Sequence, residues 1–421
     1  MEGASRVAGQ LFGGCSANVS VVGTRPSDDD PTVRRAQVTG GDPTRAARQL
    51  AEQLGGPATW EASGGRPSLV VVFAAHRLDA DALAAAIDHE IGRELGVAPW
   101  IGCTSCGEIG AGGDHEGSIA AIAIGSPRLR VGLGIAEDLD RQALRSSRDA
   151  VTAAAGALGL APEQLHPQRH AVIALVDGRS GFEESFCLGS AATAPQVHFV
   201  GGSASDNFEE PPRARVFFGG RAYAGAGVVA IVETELPFTV IESEHMLPTP
   251  DRVVVTAADP ERRRVSELDG QPAARRYARL VEAHGGGMVD SVLASSFPFA
   301  LYVGGRPYVR SVAEIDGDDL VFASAVDPGT ILRLMRPGDL VGSTKHALSG
   351  ATDEVGGDLR AVIAFSCLGR HREAVTSGAR DALGAIYDRS PLVGFHSLGE
   401  QKGPLLVNHT LTGLAIGGPR G

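Results

Sequence analysis

At 421 residues, the chain is too long for one ordinary hydrophobic core, since single domains usually have about 100–200 residues. Hydrophobic residues make up 43% and charged residues 21%, a mixture typical of globular proteins, which argues against disorder. The formal net charge of −12 leaves no broad basic surface for nucleic acid or anionic lipid. We therefore expect two or three packed units, and neither nucleic acid nor membrane as a partner.

The predicted location is the cytoplasm. Residues 1–20 contain no continuous apolar leader segment, and no later stretch reaches the ~18 apolar residues that a spanning helix needs. The five cysteines are odd in number and scattered, which fits free thiols in a reducing compartment better than a disulfide framework.

Residues 1–65 are predicted to form an N-terminal extension with an edge strand and a helix. Asp42 followed by Pro43 is typical of a helix start, because a capping side chain precedes a proline in the first turn. The helix is predicted to continue to Leu54.

After residue 66 the same order of elements recurs three times: a buried strand, a helix, a strand with a glycine loop, and a last apolar strand. The opening strands are predicted at residues 69–74, 171–177 and 360–366, and the glycine loops at 100–110, 200–207 and 392–400. This repetition indicates duplication. Because each unit alternates strand and helix and then adds a hairpin-like strand, we predict an α/β, mixed α+β fold with mixed sheets covered by helices. A more irregular stretch of strands and one helix separates the second unit from the third.

Each glycine loop carries one acid, and Glu108, Asp206 and Glu400 follow Gly and Ser or Thr at similar positions. Glycine allows close backbone approach, hydroxyl groups can hold a polar ligand, and an acid can pair with an ammonium group. The pattern favours a binding loop, with solvated surface turns as the alternative.

Arginine would supply the other half of an amino-acid site, because a guanidinium holds a carboxylate with two hydrogen bonds. Arg370 lies at the carboxyl end of a predicted buried strand, where ligands commonly bind in sheet proteins. Arg310 lies in a β-like run. The alternative for both is an isolated surface ion pair.

Cysteine and histidine spacing predicts no metal site. Cys103 and Cys106 form a single CxxC, and the glycine-rich segment after it cannot easily start a helix, as a redox pair requires. The twelve histidines include no HExxH or HxH cluster. His396 and His409 lie in the third unit, where one of them could ligate a heme iron. No cofactor is predicted, and heme is the alternative.

Nucleotide-binding and hydrolase motifs are missing, because the chain has no GxxxxGK[ST], no GxGxxG between strand and helix, and no GxSxG. We therefore predict no enzyme and no catalytic residue. A cysteine-dependent enzyme with Cys367 or Cys103 as nucleophile remains the alternative.

Several motifs, in their order along the chain, resemble the FIST family over residues 66–416. The resemblance predicts a FIST N-terminal domain at 66–235 and a FIST C-terminal domain at 236–421. The N-terminal half carries Gly102-Cys-Thr-Ser-Cys-Gly-Glu-Ile109, Val176-Asp-Gly178 and Val200-Gly-Gly-Ser203, and the C-terminal half carries Glu267-Leu-Asp-Gly270, Phe365-Ser-Cys-Leu-Gly-Arg370, Gly394-Phe395 and Asn408-His-Thr-Leu411.

The resemblance implies a sensory module that binds a small ligand such as an amino acid. Related modules often sit beside kinase or cyclase domains, and some resemble heme-based nitric oxide sensors. Since no output domain is evident here, we expect a stand-alone protein that signals through a separate partner such as a kinase or cyclase. His396 and Leu398 replace residues that tend to be aromatic in relatives, which could alter the ligand. The predicted ligand-binding residues are Cys103, Glu108, Ser203, Asp206, Arg310, Arg370, His396, Glu400 and Asn408.

Overall fold

The first of three similar units begins with an edge strand and a helix. The computed structural model describes residues 30–285 and 296–419. Asp42 caps the first helix as expected, since its carboxylate accepts the N–H of Arg45 at 2.8 Å. The first strand pairs with the last strand of the unit along its whole length, so residues 30–65 pack as part of this unit. The elements are β1 (Thr32–Thr39), α1 (Pro43–Leu54), β2 (Leu69–Ala75), α2 (Ala80–Glu94), β3 (Trp100–Ser105), β4 (Glu108–Gly110), β5 (Gly113–His115) and β6 (Ser118–Gly125).

The second unit repeats this order. Its first strand carries Gly132 and Gly134, and a Cβ on either would lie 2.0 Å from a backbone oxygen of the helix above. Glycine at both positions therefore lets this helix lie directly on the sheet. The elements are β7 (Leu129–Ala136), α3 (Leu139–Ala157), β8 (His170–Asp177), α4 (Glu183–Thr193), β9 (His198–Ala204), β10 (Val216–Phe218), β11 (Arg221–Tyr223) and β12 (Gly227–Thr234).

The third unit is interrupted after its first strand by an inserted sheet. The unit opens with β13 (Phe238–Glu244). The insertion consists of β14 (Leu247–Asp259), β15 (Arg264–Leu268), β16 (Gln271–Pro272), α5 (Ala273–Ala283), β17 (Phe299–Val303), β18 (Arg306–Arg310), β19 (Val312–Asp316), β20 (Asp319–Phe322) and β21 (Ile331–Arg336). The unit then continues with α6 (Leu340–Glu354), β22 (Leu359–Cys367), α7 (Leu368–Ser377), α8 (Arg380–Arg389), β23 (Leu392–Ser397), β24 (Glu400–Lys402), β25 (Leu405–Val407) and β26 (Thr410–Gly417).

The units exchange their hairpins in a closed cycle. The hairpin β4–β5 of the first unit pairs with β23 of the third, β10–β11 of the second with β3 of the first, and β24–β25 of the third with β9 of the second. Each of the three sheets therefore has six strands, four from one unit and two from another. The fourth sheet is built from the insertion alone.

The inner faces of the three six-stranded sheets share one core. Phe73 lies on the sheet of the first unit, and Phe365 and Phe395 lie on the sheet of the third unit. All three rings are fully buried, and their centroids lie 4.7–6.3 Å apart. Residues of the second sheet belong to the same core. The outer faces pack against helices in three further cores, and α5 covers one face of the fourth sheet. The predicted mixed α+β class with repeated units is confirmed, although each unit has six strands and two or three helices where the sequence pattern predicted three strands and one helix.

None of the helices in the described ranges has the length and hydropathy needed to cross a bilayer.

Phe395→Ala tests the shared core. Truncating a fully buried phenylalanine removes its apolar contacts and leaves a cavity, so we expect the free energy of unfolding to fall by about 3–5 kcal/mol. Urea unfolding measures the change. Leu188→Ala on α4, where the side chain is 50% exposed, is the control and should cost much less. Equal losses for the two variants would contradict a core shared among the sheets.

Candidate functional site

Three glycines lie at equivalent positions in the middle of the paired parallel strands, each three residues before its strand ends. Gly102, Gly201 and Gly394 lie in the same register of β3, β9 and β23. A Cβ on any of them would lie within 2.3 Å of a backbone oxygen of the neighbouring strand. The paired strands can therefore approach closely at these glycines. The predicted loops follow where the strands end.

Glu400 forms a closed network with two hydroxyl groups of its own unit. Its Oε1 shares a hydrogen bond with the hydroxyl of Ser397, and its Oε2 accepts from the N–H and the Oγ1–H of Thr410 at 3.2 and 2.7 Å. Burial raises the pKa of Glu400 to about 8, although these hydrogen bonds lower it. At neutral pH the carboxyl group is therefore mainly protonated.

Glu108 repeats this arrangement in the first unit. Oε1 accepts the hydroxyl of Ser105, and Oε2 accepts the N–H and Oγ of Ser118 at 2.8 and 2.7 Å. Burial raises the pKa of Glu108 to about 7. Because both oxygens of Glu108 and of Glu400 have internal partners, neither is positioned here to hold the ammonium group expected from the sequence.

The second unit lacks this network. In two hairpins a glutamate comes directly before the residue that pairs with the strand glycine: Glu108 before Ile109, and Glu400 before Gln401. In the hairpin of the second unit that position is Val216, before Phe217. The expectation that Asp206 lies at the position of the two glutamates is therefore wrong, because the loop before β10 is longer and moves the register to Val216.

Asp206 instead holds its own loop together. Its two oxygens accept Nη1 of Arg179 at 3.0 and 3.1 Å, and they also accept the backbone N–H groups of Phe208 and Arg213. The carboxylate is fully buried. Its four contacts explain how an acid is accommodated there without a ligand.

Among the described residues, Cys103, Cys187 and Cys367 are buried thiols and Cys106 is partly buried. Burial raises the pKa of Cys103 and of Cys367 well above the ordinary value, which keeps both protonated at neutral pH. Burial also raises the pKa of Cys106 to about 12, and its sulfur lies 3.3 Å from the Ser205 hydroxyl. These environments do not generate the thiolate that a nucleophile needs.

Arg310, Asn408 and their neighbours form one polar cluster between the fourth sheet and the third unit. Arg310 donates to the Leu406 carbonyl at 3.3 Å, and Asn408 Oδ1 accepts from Ser311 and Ser324 at 3.4 Å. Among the described residues, the Arg310 Nε and the Asn408 amide nitrogen have no hydrogen-bond partner.

Ser203 lies on β9, one residue before the strand ends. Its Oγ is buried and has no hydrogen-bond partner in the described part of the chain. Its backbone N–H donates to Gly399 at 2.9 Å, which joins the second and third units.

Arg370 is the centre of a second polar cluster, between α6 and α7. Its side chain is only 1% exposed. Nη2 donates to Thr344 Oγ1 at 2.6 Å and Nη1 to His245 Nδ1 at 3.2 Å. Within residues 30–285 and 296–419, no carboxylate forms an ion pair with this guanidinium, and its Nε has no partner.

Two histidines and a glutamate complete the Arg370 cluster. Because the guanidinium can only donate, His245 Nδ1 must accept, so Nε2 carries the proton and donates it to Glu373 at 2.7 Å. His409 is 1% exposed with φ +56°, and neither ring nitrogen has a partner among the described residues. Burial and the neighbouring His245 and Arg370 lower the pKa of His409 well below its ordinary value, so the ring is neutral.

A groove of about 450 Å³ lies against this cluster. It runs past Asp339, which caps α6 by accepting the N–H of Gly342 at 2.7 Å. Glu373 is the residue that lines the groove and also belongs to the cluster. The other lining residues include Pro337, Leu340, Val341, Thr376, Ser377 and Ala379.

His396 lies in a third cluster with residues that sequence reasoning did not select. Its Nε2 is 3.0 Å from Asp114 Oδ1, and His371 Nδ1 is 3.1 Å from the other oxygen. Burial lowers the pKa of His396 despite the nearby carboxylate. Burial alone would raise the pKa of Asp114, but the charges and hydrogen bonds of the two imidazoles hold it well below its usual range.

The nine predicted residues thus lie in several separate places and do not line a single pocket. Sequence reasoning missed His245, Glu373, His371 and Asp114. Glu373 follows Arg370 by three positions on α7, a spacing that places both on one helix face and could have been noticed. Nothing in the sequence brings His245 near them, since this contact depends on the return of the chain after the insertion.

Glu400→Gln tests whether the buried carboxyl group is neutral. The pKa of Glu400 is about 8 in the folded protein against an ordinary 4.5, so its stabilising effect is complete below pH 4.5 and is lost as the pH rises towards 8. In wild type, ionisation of Glu400 should lower the free energy of unfolding by up to about 1.4 kcal/mol per pH unit across this window. We expect this decrease to be absent in Glu400→Gln.

Urea unfolding at several pH values measures this effect, and Glu52→Gln, at an exposed site on α1, is the control. Parallel stability profiles for wild type and Glu400→Gln would show that the carboxyl group is ionised when folded.

The FIST N domain matches residues 68–271, and the FIST C domain matches residues 273–402. Comparison with curated proteins gave no match. Among solved structures, a cyanuric acid hydrolase from A. caulinodans is 12% identical, with 93% of this chain and 100% of that chain covered and a TM-score of 0.35. A chorismatase is 10% identical, with coverages of 92% and 98% and a TM-score of 0.32. Both TM-scores are too low to support an inference. The two family matches together span most of the sequence, and the chain therefore belongs to the FIST family, whose domains are sensory modules of signal transduction.

Proposed function

We propose that this protein is a sensor that binds a free α-amino acid, or a small carboxylate like it, at the Arg370 cluster and signals through a separate partner protein. The ligand carboxylate binds Arg370, and its ammonium group binds Glu373. The membership of the FIST family supports the sensory role, and the contacts of these residues support the place and the class of ligand.

The observation that carries the proposal is the buried guanidinium of Arg370. Arginine stays charged in proteins, and a buried charge without a partner of opposite sign costs several kcal/mol. The hydrogen bonds to Thr344 and His245 occupy two of its nitrogens without adding a charge, and Glu400, an acid whose charge would act on Arg370, is mainly protonated because burial raises its pKa to about 8. A carboxylate ligand would supply both the charge and an acceptor for Nε.

His409 strengthens this argument. A fully buried imidazole without partners is rare in folded proteins, and a non-glycine residue at positive φ is sterically unfavourable. Such strain is common where a residue is held for a ligand. The neutral ring can offer one donor and one acceptor to a bound molecule.

Glu373 is the available acid of the site. It lines the groove, whereas Glu108 and Glu400 have all their carboxyl oxygens engaged. The groove volume of about 450 Å³ lies within the range of roughly 300–1,000 Å³ that is usual for small-molecule sites. Apolar and hydroxyl side chains on its walls suit an amino-acid side chain of mixed character.

Access to Arg370 requires movement. Its side chain is almost fully buried and does not line the groove; Glu373 does, and it is linked to Arg370 through His245. Ligand entry must therefore separate α6 from α7, so that the bound and free proteins differ in shape. A partner that distinguishes the two shapes would receive the signal, because a ligand shifts an equilibrium only through states that differ in affinity.

Arg310 is a weaker candidate for the carboxylate. Burial lowers its pKa and the charge of Glu184 opposes this, but its guanidinium donates to the backbone carbonyls of Val309 and Leu406, and neither of these residues lines the groove. The protonated thiols of Cys103 and Cys367 favour binding over cysteine chemistry. Heme ligation by His396 would require its Nε2 to leave Asp114, and it stays a prediction.

Isothermal titration calorimetry against a panel of amino acids and small carboxylates tests the proposal. We expect at least one ligand to bind wild type, and Arg370→Met to weaken that binding by about 100-fold or more, since loss of a buried charged pair costs about 2–5 kcal/mol. Arg370→Lys keeps the charge but not the two-pronged donor, so it should bind at an intermediate strength.

Arg372→Gln is the matched control, because Arg372 lies on the same helix but donates to Asn207 outside the cluster. It should bind like wild type. The proposal fails if no compound binds, or if Arg370→Met and Arg372→Gln have the same affinity.

The ligand-free protein offers an independent test. Arg370→Met removes a buried charge that has no directly paired carboxylate in the described part of the chain, and replacing buried ionic groups by apolar ones of similar volume is often neutral or stabilising by about 1–4 kcal/mol. We expect the free energy of unfolding of ligand-free Arg370→Met to equal or exceed that of wild type in urea titrations. A loss of about 3 kcal/mol or more would indicate that Arg370 is structural.

A further inference from the structure

A set of metal-ligating atoms meets where three segments of the chain come together. Asp114 lies on β5 in the exchanged hairpin, His371 on α7 and His396 on β23. One ligand atom from each residue lies within 4.8 Å of the others. The Asp114 side chain is 4% exposed, and those of His371 and His396 are 9% and 2% exposed. The arrangement is preformed by the fold and is not a flexible surface cluster.

The donor set is that of a transition-metal site. Two imidazoles and one carboxylate bind Zn²⁺ in many catalytic sites and Fe²⁺ in non-heme iron sites. The ring nitrogens that would bind, His396 Nε2 and His371 Nδ1, both face the carboxylate of Asp114. A Cβ at position 107 would lie 2.7 Å from His396 Cδ2, so Gly107 leaves room for this ring.

The residues around the set provide further contacts of the kind that metal sites use. The second nitrogen of His371, Nε2, lies 3.5 Å from Glu116, and a carboxylate in that place orients a ligating imidazole. Arg380 forms ion pairs with both Glu116 at 3.2 Å and Asp114 at 3.7 Å, so one positive charge faces two carboxylates. Glu116 is 57% exposed, so this outer carboxylate lies at the surface beside the buried set.

We infer that Asp114, His371 and His396 form a binding site for a divalent transition-metal ion, Zn²⁺ or Fe²⁺, with Glu116 orienting His371. The ion would be coordinated by one residue from the first unit and two from the third. It would therefore crosslink the exchanged hairpin to α7 and β23. This inference does not depend on the amino-acid ligand, because it uses different side chains.

A second histidine-carboxylate set, His245, Glu373 and His409, meets the same distance criterion. It is less suitable for a cation. Arg370 donates to His245 Nδ1, which fixes the ring proton on the nitrogen facing Glu373, and the guanidinium adds a positive charge that no carboxylate among the described residues contacts directly. The two sets therefore favour opposite ligands, a cation at Asp114 and an anion at Arg370.

Metal binding can be measured on the full-length protein after removal of metals with a chelator. Dialysis against Zn²⁺ or Co²⁺ followed by elemental analysis should give a single equivalent per chain, and Co²⁺ should develop a visible absorption band with nitrogen ligands. Loss of a group that only orients a ligand typically lowers metal affinity roughly 10–100-fold, and Glu116→Gln should lower it within that range. Asp114→Asn and His396→Gln each remove a ligand, so each should lower metal affinity by more than this. Zn²⁺ should also raise the melting temperature of wild type.

His115→Gln and His245→Gln are the matched controls. His115 is the neighbour of Asp114 on β5 and is exposed, and His245 belongs to the other set. Both should bind metal like wild type. Circular dichroism identifies any variant that fails to fold, and the graded loss in Glu116→Gln keeps the test valid with a folded protein. The inference is wrong if wild type takes up no metal, if the Asp114→Asn/His396→Gln double variant retains it, or if only His245→Gln loses it.

Discussion

The exchange of hairpins among the three units is the constraint on which the remaining structure depends. Each unit leaves one edge of its sheet open at β3, β9 or β23, and an open edge exposes unpaired backbone groups. A hairpin from another unit closes each edge, so no unit is complete alone. The exchange also brings side chains from distant segments together. Asp114 reaches His371 and His396 only because its hairpin lies on the sheet of the third unit.

The buried ionisable groups fall into two classes that differ in how their charge is handled. Glu108 and Glu400 can become neutral by taking up a proton, and burial raises the pKa of both so that they do so near neutral pH. They then serve as hydrogen-bonding groups that connect strand ends. Arg370 has no such option, because its guanidinium does not lose its proton. The same degree of burial therefore makes the acids structural and makes the arginine a candidate for ligand binding.

Much of the architecture could be predicted from the sequence, because continuous apolar runs and glycine loops recur in the same order. The class, the repeats and the cap at Asp42 follow from local patterns. The register of the β10 hairpin could not be predicted in this way. The longer loop before β10 places Val216, and not Asp206, at the position that Glu108 and Glu400 occupy in the other hairpins. The exchange of hairpins was also outside the reach of local patterns, which describe neighbours in sequence only. Arg370 could be selected because it follows a strand directly in sequence. The contacts of His245 with Arg370 and of Asp114 with His396 could not be predicted, because these residues are far apart in sequence.

The closed cycle of hairpins also determines when the protein can fold during synthesis. Asp114 and its hairpin leave the ribosome long before their partner strand, since His396 follows 282 positions later in the chain. Until then β23 does not exist, and the hairpin β4–β5 of the first unit has to wait with the outer edge of β4 unpaired. Pairings this distant in sequence slow folding, because the loop between them must be closed first. A truncated chain would lack one hairpin or its acceptor, so a nascent or proteolysed fragment would keep an open sheet edge prone to aggregation.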